Sequence, residues 1–312
     1  MTERTNGYAR VLFIGSKRIG LQSLEAIHRL APERLCGVIT CDDSADARTE
    51  LYAFERFCAD NRVPFNVAKG RAQSEELLQS YQADLCIVVG WYWLIGDSTI
   101  KSVPGGFFGV HNSLLPLYRG SSPLVWAIIN GDQTVGFSLF RLTTGFDDGD
   151  VYYQFRHSLQ PSDDVGTVLQ AFEAAVVVAW QTTYMKILAG TACGVPQNHL
   201  EATFCAARRP DDGRINWCSD AGTIHKFVRA QTMPYPGAYT HKVGSDERLV
   251  VWKARPFERT YFGIPGQIAL VNDAGIIVTC GSGTAILIEE LAVSGTQMPA
   301  GRPVLGLGQR FQ

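Results

Sequence analysis

Through the first half of the chain, short runs of β-branched and other apolar residues alternate with segments of helical periodicity. That alternation restricts the fold more than any other feature. The runs RVLFIG (10–15), LCGVIT (core at 36–40), Phe65–Val67 and DLCIVVG (84–90) are separated by helical patterns near 20–31, 49–61 and 73–81. Strands that are apolar at nearly every position need cover on both faces, so the rhythm predicts a parallel sheet flanked by helices. GFFGVH (106–111) continues it, followed by a loop, a helix near 123–129, strands around 135–143 and 150–159, and one long apolar helix at 165–190.

Between about Thr191 and Pro210 the sequence turns mixed and loop-like. Beyond it the character changes: a short helix (about 222–230) precedes LVVWKA, GQIALV, GIIVTC and AILIEELAV, separated by Gly, Asp and Asn turns. Such spacing predicts a small antiparallel barrel. The expected fold class is therefore α/β, a Rossmann-like mostly parallel sheet domain over 1–206 followed by a small β-rich, OB-like barrel domain over 207–312.

With 28 Lys+Arg against 30 Asp+Glu, a nucleic acid or anionic membrane partner needs a local basic patch, and none is evident. No run of 18 apolar residues and no apolar stretch with a cleavage site occurs, so a cytoplasmic location without a membrane partner is expected. Eight scattered cysteines without a C-x-x-C pair read as free thiols.

The first strand is followed by Gly15 and Gly20, which fails the G-x-G-x-x-G spacing of a dinucleotide site. More informative is 107–150, FFGVHNSLLPLYRGSSPLVWAIINGDQTVGFSLFRLTTGFDDGD. His111 closes an apolar strand, where open α/β sheets build their sites. Taken alone it reads more readily as a structural histidine, and the acidic loop GFDDGD reads as a solvated turn. Together they form a candidate His/carboxylate pair, the acid fixing the tautomer while the ring handles a proton.

His111 with SLLP (113–116), YRG (118–120), the Trp-containing segment Pro123–Asn130 and G-x-D-x-G-D (145–150) resembles the folate-dependent formyltransferases, the family that includes methionyl-tRNA formyltransferase. RRPDDGRINW (208–217) and RAQTMPYPGAY (229–239) are similar to the linker and second domain of its two-domain members. The resemblance implies 10-formyltetrahydrofolate as co-substrate, no metal, and His111 and Asp147 as catalytic residues. It further implies folate contacts at Trp93, Leu94 and Ile95, at Ser113, Leu114, Leu115 and Pro116, and at Thr143, Thr144, Gly145 and Phe146, most of them through backbone groups. Their plain alternative is loop packing, with Trp91, Tyr92 and Trp93 covering apolar surface.

One position departs from the family. Its catalytic asparagine lies two residues before the histidine, and here that residue is Gly109. Asn112, as the neighbour of His111, faces the other side of a regular strand. Gly109 keeps 10-formyltetrahydrofolate hydrolysis open as an alternative, and a folate-binding protein without activity as another. The expected reaction is formyl transfer to a primary amine or hydroxylamine of a small molecule, such as a nucleotide-linked amino sugar or an ornithine-derived siderophore precursor. A tRNA acceptor is a further alternative. It is disfavoured by the short acidic segment CDDSADARTE (41–50) and by only 12 Lys+Arg against 9 Asp+Glu from Arg208 onward. The oligomeric state stays open.

Overall fold

The computed structural model describes residues 7–294 and 305–312. The chain divides into two compact units. One runs to Pro123 and continues through Thr134–His157 and Leu169–Cys205; the other comprises Leu124–Gln133, Ser158–Val168 and Ala206–Gln312.

The first unit is built on a seven-stranded sheet. Its strands are β1 (Val11–Gly15), β2 (Leu35–Cys41), β3 (Phe65–Ala68), β4 (Leu85–Val89), β5 (Phe107–His111), β7 (Thr134–Leu142) and β8 (Val151–Ser158); β6 (Arg119–Gly120) pairs separately with β9 (Phe204–Cys205). The order is β3-β2-β1-β4-β5-β7-β8, so the connections reverse direction between β1 and β4. Strands β1 to β5 are mutually parallel. Every residue of β1 and β4 is buried, which is why their sequences carry no polar alternation. Helices α1 (Lys17–Leu30), α2 (Leu51–Asn61), α3 (Arg71–Ser80) and the short α4 (Asp97–Ser102) form the crossovers.

Strand β7 is why the sheet is mostly rather than wholly parallel. It runs antiparallel to β5, with Phe107 beside Leu142 and His111 beside Ser138. A helix, α5 (Pro123–Asn130), does lie between the two strands in sequence, but it does not produce the parallel return that a βαβ unit makes. Helix α6 (Val165–Leu188) is long and apolar enough to cross a membrane by length and composition alone. Its buried residues, among them Val168, Phe172, Val176, Trp180 and Tyr184, recur at three- and four-residue spacing as on a core-facing stripe. Phe172 packs edge-on against Phe137 of β7 and Phe155 of β8.

In the second unit an antiparallel sheet has the order β10-β11-β14-β13-β12, formed by Ala238–His241, Arg248–Phe257, Ala285–Val293, Gly275–Thr279 and Ile268–Asn272. Asp220 caps α7 (Ala221–Arg229) by accepting the Thr223 N–H, and α7 lies against β11 and β14. The last residues close the sheet. His241 and Gln312 exchange backbone hydrogen bonds on the β10 side, while the Phe311 N–H bonds Gly266 and the Ile268 N–H bonds Gln309 on the β12 side. Phe311 is thereby buried and stacked on Trp217, 5.5 Å between ring centres. This closure gives the barrel its staves from both edges.

All eight cysteines are free; Cys41, Cys58, Cys86 and Cys280 are buried, whereas Cys193 and Cys218 are exposed.

Candidate active site

His111 ends β5 at the carboxyl edge of the parallel strands, with its side chain 11% exposed. Its Nε2 lies 2.8 Å from the Tyr118 carbonyl oxygen, which only accepts, so that nitrogen carries the proton. Nδ1 faces Asp147, 3.8 Å from Oδ2. The acid therefore does not fix the tautomer, as the motif alone led one to expect; a backbone carbonyl does. Asp147 Oδ2 instead accepts the Gly120 N–H at 2.8 Å. The 3.8 Å separation leaves Nδ1 and the carboxylate adjacent without a direct hydrogen bond, near enough for electrostatic support or a bridging water.

The antiparallel direction of β7 matters here. Leu142, its last residue, sits beside the start of β5, so the loop carrying Asp147 must double back along β5 to meet His111. Asp147 adopts a left-handed conformation, φ 50°, which Asp tolerates better than most residues. Gln197 holds the loop from outside: its Nε2 donates to the carbonyls of Asp147 (2.9 Å) and Gly149 (2.7 Å). Its Oε1 accepts from Nε and Nη2 of the buried Arg119 at 3.2 and 2.8 Å. Sequence reasoning missed Gln197, a polar residue in a loop without periodicity or motif to mark it, and it read Arg119 only as part of a family string.

Cys205 rests its thiol on the Tyr118 and Arg119 carbonyls. Burial first, and the Asp147 charge second, push it up to about 11, so it stands as a neutral thiol beside the pair.

At Gly109 a Cβ would stand 2.8 Å from a Leu142 methyl and 2.9 Å from the Val88 carbonyl oxygen. The Leu142 side chain has some freedom to move, but the Val88 carbonyl belongs to the neighbouring strand. Space for a side-chain donor is therefore absent at the position where the family's asparagine stands. No side-chain hydrogen bond involves Asn112 among the described residues.

The three folate segments implied by the resemblance differ in what they leave free. Trp93 and Ile95 pack, with Trp91 and Leu142, against the buried cluster of Leu12, Ile14, Val88 and Phe107, while Leu94 is exposed. The Gly96 N–H is anchored by Glu75 of α3. Among the described residues, the backbone of Trp93–Ile95 and of Thr144 and Phe146 has no hydrogen-bond partner. Gly145 donates its N–H to Thr143 Oγ1, whose hydroxyl in turn bonds Asp148. Ser113–Pro116 is the opposite case. Ser113 N–H bonds the His111 carbonyl, the Leu114 carbonyl takes the Leu117 N–H, and Leu115 N–H bonds Ser138 Oγ. The carbonyls of Ser113, Leu115 and Pro116 accept from Ser138, Gln154 and Thr203. That segment is held nearly throughout, the Leu114 N–H being the donor left without a partner among the described residues.

A further group was not expected. Lys17, just past β1 with φ 66°, places Nζ 3.1 Å from Asp43 Oδ2, 2.8 Å from Asp46 Oδ2 and 4.3 Å from the centre of the Tyr92 ring. The Tyr92 hydroxyl bonds both acids, and Arg48 pairs with Asp46. Burial works against ionisation of Asp46, yet the hydrogen bonds from Arg48 and Lys17 hold its carboxyl below the usual carboxylate range. The acidic 41–50 segment is thus folded onto the switch point of the sheet as an ion-pair network. The first βα turn, filled by these side chains, is no phosphate cradle.

The Formyl transferase family matches residues 57–183, and the Formyl transferase, C-terminal domain family matches residues 208–305. The methionyl-tRNA formyltransferase of Agathobacter rectalis is 32% identical over 285 residues, covering 90% of this chain and 91% of that protein. Among solved structures, the sugar 3N-formyltransferase WlaRD, determined with dTDP and 5-N-formyl-THF, superimposes with a TM-score of 0.66 at 16% identity, covering 92% of this chain and 98% of that one. The N-formyltransferase of Helicobacter canadensis, in complex with folinic acid and dTDP-3-aminofucose, gives 0.66 at 15% identity over 90% and 98%. At such identities these two speak for the fold. Matching domains in matching order, with a relative similar over nine-tenths of both chains, settle the membership: the chain belongs to the folate-dependent formyltransferase family of one-carbon transferases.

Proposed function

We propose that this protein moves the formyl group of 10-formyltetrahydrofolate to a primary amine or hydroxylamine of a small molecule, a nucleotide-linked amino sugar or an ornithine-derived precursor being the leading classes. The observation that carries the proposal is the His111–Asp147 pair, Nδ1 to Oδ2 3.8 Å, with Nε2 tied to the Tyr118 carbonyl. Attack of an amine on a formyl carbon needs a route for the amine's proton. Nδ1 of His111 is the ring nitrogen left to hold that proton, and Asp147 stabilises the imidazolium that results. The unpaired backbone groups of Trp93–Ile95, Thr144 and Phe146 fit a flat heterocycle read along its polar edge, and Ser113–Pro116 supplies a fixed wall beside them. Bound there, the donor supplies the electrophilic carbonyl.

A small acceptor is favoured by the 41–50 segment, whose Asp43 and Asp46 are engaged by Lys17 and Arg48 and which offers no basic insertion. Two other readings rest on specific observations. Gly109, with no room for an oxyanion-directed side chain, favours hydrolysis of the donor. The similarity to methionyl-tRNA formyltransferases favours a tRNA acceptor.

The experiment supplies 10-formyltetrahydrofolate with dTDP-3-aminofucose, N5-hydroxyornithine, methionyl-tRNA or buffer alone, and follows tetrahydrofolate release. The proposal expects acceleration by a small amine over buffer, since a bound amine supplies proximity that water lacks. Acceleration by methionyl-tRNA alone, or equal rates throughout, contradicts it.

A further inference from the structure

His111 ends β5 while Asp147 lies on the loop between β7 and β8, and that loop has exposed residues at Thr144, Gly145 and Phe146. Something outside the loop must set where the carboxylate stands. Both hydrogens of the Gln197 carboxamide are committed, one to the Asp147 carbonyl and one to the Gly149 carbonyl, so the amide straddles the loop at its sharpest point. The amide cannot be turned over, because Arg119 has only donors and its Nε and Nη2 both point at Oε1. Arg119 is itself fixed, only 4% exposed, with Nη2 also 3.2 Å from His199 Nδ1 and its guanidinium over the Phe204 ring. Its chain neighbours finish the arrangement: Tyr118 takes the His111 Nε2 proton and Gly120 donates to Asp147 Oδ2.

We infer that Gln197, oriented by Arg119, is a positioning residue that sets the register of the Asp147 carboxylate against His111. Residues 118–120 hold the imidazole and one carboxylate oxygen through backbone groups, while Gln197 holds the backbone of the acid. The inference rests on the reading of His111 and Asp147 as the reacting pair.

Gln197→Glu tests it, since the variant keeps size and acceptors for Arg119 but loses both donors and sets an oxygen against two carbonyls. Tetrahydrofolate release from 10-formyltetrahydrofolate is measured with dTDP-3-aminofucose, N5-hydroxyornithine and methionyl-tRNA, and in buffer alone, so transfer and hydrolysis are both counted. The expected result is a fall in kcat of about a hundredfold with donor KM changed less than about threefold, the signature of a misplaced group rather than a lost binding contact. In an Asp147→Asn background the same substitution changes kcat less than about twofold, because the residue it positions is gone. Losses that multiply in the double variant, or full kcat in Gln197→Glu when Asp147→Asn is impaired, overturn the inference. If Asp147→Asn retains wild-type turnover, the reacting-pair reading is what fails. The positioning claim is then decided by the crystal structure of Gln197→Glu: loss of the Asp147–Gly120 hydrogen bond supports it and an unmoved loop overturns it. Gln197→Met, which removes the donors without adding charge, replaces Gln197→Glu if circular dichroism finds that variant unfolded.

Discussion

At the scale of single residues, the proposed chemistry rests on two side chains, His111 and Asp147, whose partners are mostly backbone. His111→Ala is expected to lower turnover by about 10²–10⁴-fold while donor affinity, measured by titration, stays within about tenfold, ~1.4 kcal/mol; equal losses in both make His111 a ligand contact. Gly109 yields a second expectation. A Cβ 2.9 Å from the Val88 carbonyl overfills a sheet that has little give. Gly109→Asn should therefore destabilise the protein by about 1–3 kcal/mol in urea melts without raising turnover; an unchanged melt with faster chemistry contradicts this. That His111 and Asp147 stand side by side was legible because one contiguous motif carries both. The Tyr118 carbonyl and Gly120 N–H were not, since backbone groups have no letter of their own, and Gln197 was not, since it lies 50 residues from the loop it holds.

At the scale of elements, burial on both faces made β1, β2 and β4 readable as apolar runs, and turn residues marked β12, β13 and β14. The direction of β7 was hidden because a helix preceding a strand ordinarily signals a parallel return, and here the register puts Leu142 beside Phe107. The four-residue β10 was too short to show a period. The β2–α2 segment offers a pH test. Asp46 is held below the usual carboxylate range, so its contribution to stability is complete above the unfolded value of about 3.9 and is lost as pH falls through the lower folded value. Asp46→Asn should melt below wild type at pH 7, and the gap should narrow below about pH 4. A gap independent of pH shows that the ion pairs with Lys17 and Arg48 do not carry it. The loop at 143–147 makes a complementary prediction: Phe146→Leu should alter donor affinity less than deletion of one loop residue, because length sets where the unpaired backbone groups stand.

At the scale of the whole molecule, the sequence signalled an antiparallel barrel but not what closes it. The closing piece is Gln309–Gln312, too brief to read as a strand, yet it pairs with both edges of the sheet. Phe311→Ala, which removes a ring 1% exposed and stacked on Trp217, is expected to cost about 3–5 kcal/mol in equilibrium unfolding; a loss below about 1 kcal/mol means that the closing strand carries little of the second unit's stability. Family membership and the His111–Asp147 geometry together leave the destination of the formyl group as the central claim. It is tested most directly by supplying 10-formyltetrahydrofolate labelled in the formyl carbon, with a panel of amino sugars and hydroxylated amino acids, and counting label in formylated amine, formate and tRNA. The account predicts that one small amine collects most of the label, in proportion to tetrahydrofolate released; label arriving as formate at one rate whatever amine is present, or accumulating only on methionyl-tRNA, contradicts it.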